Sequence, residues 1–241
     1  MQVAGKTILL TGGTDGIGRE LAAQLRTKGA QLIVTGRTAE RIAAAKADGY
    51  EVIAADLSTA AGVDIILDAV NGRPIDILIN NAGVGSDHDF RAEAPNLVDN
   101  DRCIFANLNA PIHLIARLMP VLKARSEAMI VNVTSGLAIA PRAGGPIYCA
   151  TKAGLRSYTL ALREQLKATH IHVVEILPPV VETKMTASRI GKAKMPAPAC
   201  AAEIVRAIES NAKEANVGLT KILRLVESIS PALARKIMIR F

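Results

Sequence analysis

Apolar residues in this chain fall in short unbroken runs, separated by stretches with helical spacing. The runs at 8–11, 31–35, 51–55, 76–80, 129–134 and 172–177 are rich in β-branched residues and show no polar–apolar alternation. Parallel strands covered on both faces have this pattern, because neither face meets water. Between them, 19–28, 39–47, 63–70, 96–122 and 148–168 read as helices. Gly29 is placed to stop the first helix and Thr38 to cap the second. Repeated βα units predict an α/β fold, a Rossmann-like doubly wound parallel sheet flanked by helices on both faces. Ligands then bind at the carboxyl ends of the strands.

The stretch 184–199, rich in Pro, Lys and Ala, interrupts the pattern and reads as a lid over a substrate. Too little chain follows it for a second core, so residues 1–241 are expected to form one dinucleotide-binding catalytic domain. The end of the chain, 219–241, is amphipathic. Leu219, Ile222, Leu223, Val226 and Ile229 recur at helical spacing, and Ser230-Pro231 reads as the cap and first position of a new turn. Leu233, Ile237 and Phe241 continue the stripe beside Lys221, Arg224, Arg235, Lys236 and Arg240. The expectation is a helix packed on its own domain or on a neighbouring subunit. Weak contact with an anionic membrane surface is the alternative.

Composition narrows the picture. A length of 241 residues with half of them hydrophobic suits a sheet buried on both faces. No run of eighteen apolar residues occurs, and the N-terminus enters the first strand directly, so a cytoplasmic protein is expected. Cys103, Cys149 and Cys200 form no CxxC pair and read as reduced, packed thiols. Cys149 adjoins Tyr148, but neighbours on a helix point about 100° apart. The net charge of +7 is scattered, and six aromatic residues make no stacking platform, which argues against nucleic acid. Asp87-His88-Asp89 lacks further ligand clusters and reads as a polar loop, not a metal site. His113, His170 and His172 read as packed or locally bonded.

The chemistry starts at Thr11-Gly12-Gly13-Thr14-Asp15-Gly16-Ile17-Gly18, which joins the first strand to the first helix. Glycines let the backbone approach a pyrophosphate, and the helix N-terminus offers unpaired N–H groups and a positive dipole end. Gly12, Thr14, Asp15, Gly16, Ile17 and Gly18 are therefore candidate dinucleotide contacts. Tyr148 and Lys152 stand one helical turn apart, thirteen residues after Ser135. Reducing a carbonyl needs a proton as well as a hydride, and an isolated phenol titrates near ~10. A cation one turn away on the same helix face can lower that value, while Ser135 can hold the substrate oxygen.

The spacing TGxxxGxG, with these residues in this order, resembles the short-chain dehydrogenase/reductase family across nearly the whole chain. The resemblance implies that Asp56 and Leu57, before Ser58, contact adenine, and that Asn80-Asn81-Ala82-Gly83 is the NNAG motif beside the cofactor. Asn107, Ser135, Tyr148 and Lys152 match its catalytic tetrad. Lys152 would also bind the nicotinamide ribose, and Asn107 would anchor a water linking Lys152 to solvent. Pro178, Val181 and Thr183 match PGxVxT, which holds the nicotinamide end, although Pro179 replaces its glycine. Gly36-Arg37-Thr38 ends the second strand without an acid, and Arg37 suits a 2′-phosphate, so NADP is expected over NAD. Asp15, where NADP-using relatives often carry a base, points the other way.

An NADP-preferring oxidoreductase acting on a carbonyl or secondary alcohol follows, assembled as a homodimer or homotetramer through the Asn107 and Tyr148 helices. Val34 to Thr38 and Val217 to Lys221 are loosely similar to bacterial members associated with D-alanine transfer to teichoic acids. The rivals are a non-catalytic NADP-sensing module and a membrane-surface protein. Specificity should lie in 83–96, 136–147 and the lid, where Lys184, Arg189, Lys192 and Lys194 are compatible with an anionic substrate.

Overall fold

The computed structural model describes residues 1–87, 89–91, 94, 96–188 and 193–240. Each apolar run forms a strand: β1 (Thr7–Leu10), β2 (Gln31–Gly36), β3 (Glu51–Ala54), β4 (Ile77–Asn80), β5 (Ala128–Val133) and β6 (Ile171–Leu177). With β7 (Glu214–Asn216) they make a seven-stranded, all-parallel sheet in the order β3-β2-β1-β4-β5-β6-β7. The lack of alternation has a direct cause. Ile8, Leu10, Ile77 and Ile79 point to a core shared with α1 (Gly16–Thr27) and α7 (Ala197–Glu209). Leu9, Leu78 and Ile130 point to an opposite core with α3 (Ala60–Ala69), α5 (Ala110–Lys123) and α6 (Pro146–Leu166). Both faces are apolar because both are covered.

Gly29 ends α1 with φ of 86°, its N–H bonded to the Arg26 carbonyl. Thr38 precedes α2 (Ala39–Ala47) at the cap position, but its hydroxyl makes no capping bond. The expected long helix over 96–122 is three pieces: α4 (Leu97–Ile104), a π turn (Phe105–Asn109) and α5. Pro111 supplies the reason. It has no N–H, so the Asn107 carbonyl four residues earlier loses its α-helical donor.

Two elements escape the sequence pattern. α7 begins at Ala197, inside the stretch 184–199 expected as a lid. β7 is three half-buried residues, Glu-Ala-Asn, with no β-branched run to announce it. The base of the lid is clasped where Glu182 and Met195 donate to the Met195 and Val180 carbonyls at 2.8 and 2.9 Å.

The C-terminal segment forms α8 (Thr220–Ile229) and α9 (Pro231–Met238), with the Ser230 hydroxyl accepting from the Leu233 N–H at 3.3 Å. Its apolar stripe packs on its own domain in part: Leu223 and Val226 are half-buried, Leu223 against the loop after Ser135, whereas Ile222, Ile229 and Ile237 are 59%, 77% and 52% exposed. His88, Arg189, Lys192 and Phe241 lie outside the described residues. Among the described residues no cluster of three metal-binding side chains occurs, and no helix is long and apolar enough to cross a membrane. The three cysteines are buried free thiols. His172 faces Glu127 at 3.5 Å, and His113 meets the Phe105 ring edge-on at 5.5 Å.

Candidate active site

The strand order reverses at β1, whose neighbours are β2 and β4, and a cleft of about 500 Å3 opens at the carboxyl ends there. Packing fixes the glycines along its edge. A Cβ on Gly18 would lie 2.1 Å from the Gly12 carbonyl oxygen, and one on Gly12, already at φ 67°, would lie 2.9 Å from the Ala82 Cα. No side chain caps the first turn of α1, and Gly16, Ile17 and Gly18 line the cleft. An uncapped helix N-terminus facing a cradle that admits no Cβ fits an anionic pyrophosphate. Asn81 buttresses the loop, its amide donating to the Thr11 carbonyl at 2.9 Å. The Thr11 hydroxyl in turn accepts from the Asn81 and Ala82 N–H groups, both at 3.0 Å.

The far end of the cleft is cationic. Arg37 and Thr38 line it, as does Arg41, whose Nη1 lies 2.6 Å from the Asp15 carboxylate. That ion pair answers the objection raised by Asp15, since the acid is neutralised by an arginine one turn into α2. Gly36 is confined by Thr14, whose Oγ1 would sit 2.5 Å from a Cβ there, so a larger side chain at that place would have to displace Thr14. Asp56 lies 3.2 Å from Arg102 and 3.9 Å from Arg37. Burial raises its carboxyl, but two hydrogen bonds from Ser58 and the two arginines outweigh this and hold it below the usual range.

At the opposite end, Ser135 leaves β5 and Tyr148 and Lys152 project from α6. The Ser135 hydroxyl accepts from the Leu137 N–H at 3.1 Å, which leaves its own proton to donate elsewhere. Lys152 is buried, with Nζ donating to the Val133 carbonyl at 2.9 Å and lying 5.8 Å from the centre of the Tyr148 ring. Burial pulls its ammonium down to about 8. Asn107 stands behind the cleft. Its amide accepts from the Val84 N–H at 2.8 Å and donates to the Val84 carbonyl at 2.9 Å and to Thr151 Oγ1 at 3.2 Å. The side chain is thereby committed to positioning the 83–85 loop and α6.

Beneath these groups lies a buried ion pair. Glu175 of β6 accepts from Thr134 Oγ1 at 2.8 Å and from Arg156 of α6 at 2.6 Å, and Arg156 also reaches Glu214 of β7 at 2.9 Å. Arg156 is one turn beyond Lys152, and Thr134 precedes Ser135. The pair therefore ties α6 to the end of β5, setting the serine opposite the tyrosine.

The eighteen residues expected to hold the cofactor all line the cleft, and so does Ser135; Asn107 of the tetrad does not. Pro179 lines it too, in the glycine's place, while Pro178 accepts from the Gly136 N–H at 2.9 Å. Ser58 lines it beside Asp56 and Leu57, whereas Arg41, Val84 and Met185 were not among the expected site residues. Arg41 had a usable signal, four residues after Arg37 at the start of a helix; the other two are brought in by stretches expected to carry specificity. Ser135, Tyr148, Pro178 and Pro179 also border a second cavity of about 460 Å3.

The short chain dehydrogenase family profile matches residues 6–194. The chain is 41% identical over 188 residues to a Bacillus subtilis protein named uncharacterized oxidoreductase DltE, covering 76% of this chain and 74% of that one. It is 31% identical over 195 residues to the NADP-dependent 3-hydroxy acid dehydrogenase of Schizosaccharomyces pombe, covering 77% and 75%. Its fold is similar to that of a short chain dehydrogenase from Burkholderia cenocepacia in complex with NADP, with a TM-score of 0.87, 22% identity and 99% of each chain covered.

Proposed function

The chain belongs to the short chain dehydrogenase family, and from that premise we propose that it is an NADP-preferring oxidoreductase that interconverts a carbonyl and a secondary alcohol. The observation that carries this reading is the meeting of Ser135, Tyr148 and Lys152 where the glycine-loop cleft joins a second, mostly apolar cavity. When bound, the nicotinamide supplies or takes up the hydride. The residues of the chain handle the rest. Ser135 Oγ donates to the substrate oxygen and fixes it beside the phenol. Tyr148 Oη gives the proton in reduction and receives it in oxidation. Lys152, charged at neutral pH and desolvated, favours the phenolate that this exchange creates. Asn107 and the Arg156–Glu175 pair position the elements without touching the reacting atoms.

Incubating purified protein with NADPH and a panel of carbonyls tests the reading. NADPH oxidation supports it. Tight NADPH binding with no turnover on any carbonyl would favour a sensing module instead.

The cationic corner supports NADP, as do the NADP-dependent fission-yeast relative and the Burkholderia protein in complex with NADP. Arg37→Ala is expected to weaken NADPH binding by about 1.5–3 kcal/mol, the range for hydrogen bonds to charged groups, and to leave NADH nearly unchanged. Arg41→Ala should weaken NADPH at least as much, because it also leaves Asp15 unpaired in the cleft. Removing Asp15 as well should restore part of the loss. Fluorescence titration with both cofactors checks this; equal losses for NADH would mean that the arginines only hold the loop.

Exposed Leu97 and Val98 on α4 and Leu160 on α6 support a homo-oligomer joined through these helices. The ridge of α8 and α9, edged by Arg235, Lys236 and Arg240, supports weak attachment to an anionic membrane surface. Co-sedimentation with anionic vesicles at low salt is expected, and loss of binding in a chain ending at residue 230 would locate it. No binding by the full chain would dismiss it.

A further inference from the structure

The second cavity leads from Ser135 and Tyr148 away from the glycine loop, and its far wall is Leu137, Val180, Leu219, Leu223 and Met238. Part of that wall comes from α8 and α9, beyond the span of 6–194 that the family profile matches, so family membership does not dictate what it accepts. Thr220 holds the wall in place. It is buried, and its hydroxyl would lie 3.0 Å from a Cβ on Gly136, so α8 rests directly on the loop that follows Ser135.

Charge is nearly absent. Among the described lining residues the ionic group is Asp87, and it is already paired with Arg142. The start of α8 reaches the cavity but offers nothing to an anion. The N–H groups of Thr220, Lys221 and Ile222 already donate to the carbonyls of Val217, Gly218 and Leu219 at 3.1, 3.2 and 3.1 Å. Of the lid cations read as suited to an anionic substrate, Lys194 donates to the Thr186 carbonyl at 2.7 Å. Lys184 lines the glycine-loop cleft and not this cavity. Among the described residues, which do not include Arg189 and Lys192, a carboxylate entering here would lose its hydration and meet no free cation, a combination that apolar cavities reject.

Resting on the oxidoreductase reading above, we infer that the cavity takes neutral carbonyl compounds with an extended hydrocarbon part and discriminates against 3-oxo acids. Ser135 and Tyr148 bind the oxygen, and the leucines and Met238 take up the chain. Each methylene buried along this wall should raise kcat/KM about threefold, until the cavity is full.

The experiment compares NADPH-dependent reduction of methyl ketones from 2-butanone to 2-octanone with 3-oxo acids of matching length. The expected result is a rise along the ketone series, with each acid about tenfold or more below its neutral counterpart. Leu223→Lys, with Met238→Lys as a second variant, places a cation in the wall and should narrow or reverse that gap, with NADPH affinity reporting that the protein is folded. Calorimetric binding of 2-octanol and octanoate to the protein–NADPH complex, in which an alcohol has no hydride acceptor, gives a readout free of turnover. Neutral 2-octanol should bind more tightly, and less so in Leu223→Lys. Acids reduced faster than ketones, or octanoate binding as well as 2-octanol, would overturn the inference. If no carbonyl were reduced while 2-octanol still bound selectively, the reductase reading would fail and the cavity assignment would stand.

Discussion

Tyr148→Phe is expected to lower the rate of carbonyl reduction by about 10²-fold or more, the scale of a lost general acid, while NADPH affinity and fold persist. The substitution removes one oxygen from a side chain that borders both cavities, so packing changes little and proton transfer changes fully. The wild-type protein should carry a matching pH signature. Lys152 is held by burial at about 8, so it is charged at neutral pH and loses its proton just above. Above that value the cation that favours the phenolate is gone, so reduction, which creates the phenolate, and alcohol oxidation, which uses it as base, should both lose rate as pH rises through it. Profiles of kcat/KM in both directions, with NADPH titrations of the variant, provide the check. A Phe variant that kept wild-type kcat on a substrate with a rate-limiting chemical step would remove Tyr148 from the mechanism.

Arg156→Ala is expected to cost about 3–5 kcal/mol of stability, the range for breaking a buried ion pair by removing one partner. Glu175 is fully buried, so without the guanidinium its carboxylate keeps only the Thr134 hydroxyl. Burial already pushes its carboxyl above the usual range in spite of Arg156. Removing the cation pushes it further. A carboxyl raised in the folded state binds more protons there than in the unfolded chain. Its contribution is thus intact below the unfolded value and lost as pH rises through the folded one. The deficit of Arg156→Ala should therefore be larger at neutral pH than near the usual carboxylate range of about 4. Arg156→Met combined with Glu175→Gln should recover much of it, because no charge is left buried. Urea unfolding at the two pH values reads this directly. An Arg156→Ala deficit under about 1 kcal/mol, the scale of an exposed pair, would mean that the pair is solvated. Because Thr134 precedes Ser135, turnover in the folded fraction should fall as well.

Much of this protein is legible in its sequence because the signals are local. Six strands show as apolar runs, since a strand covered on both faces must be apolar throughout. Gly12, Gly16 and Gly18 announce the loop because no other residue fits its close approaches. Tyr148 and Lys152 declare a shared helix face through their spacing alone. Even the break in the long helix was written in Pro111, through the N–H that it lacks.

The tertiary structure decided the matters that depend on residues far apart in the chain. β7 has no propensity of its own and is a strand because β6 offers it an edge. Asn107 matches a catalytic motif by its place in the chain, and the fold adds that its amide is bonded to Val84 and Thr151. Asp15 is paired with Arg41 of α2, a partner that its own neighbourhood in the chain does not announce. The apolar cavity wall from α8 and α9 is likewise assembled from residues far from Ser135 in the chain. The common physical reason is that spacing along a chain fixes periodicity and backbone permission, whereas charge pairing and cavity polarity are set by which side chains folding brings together.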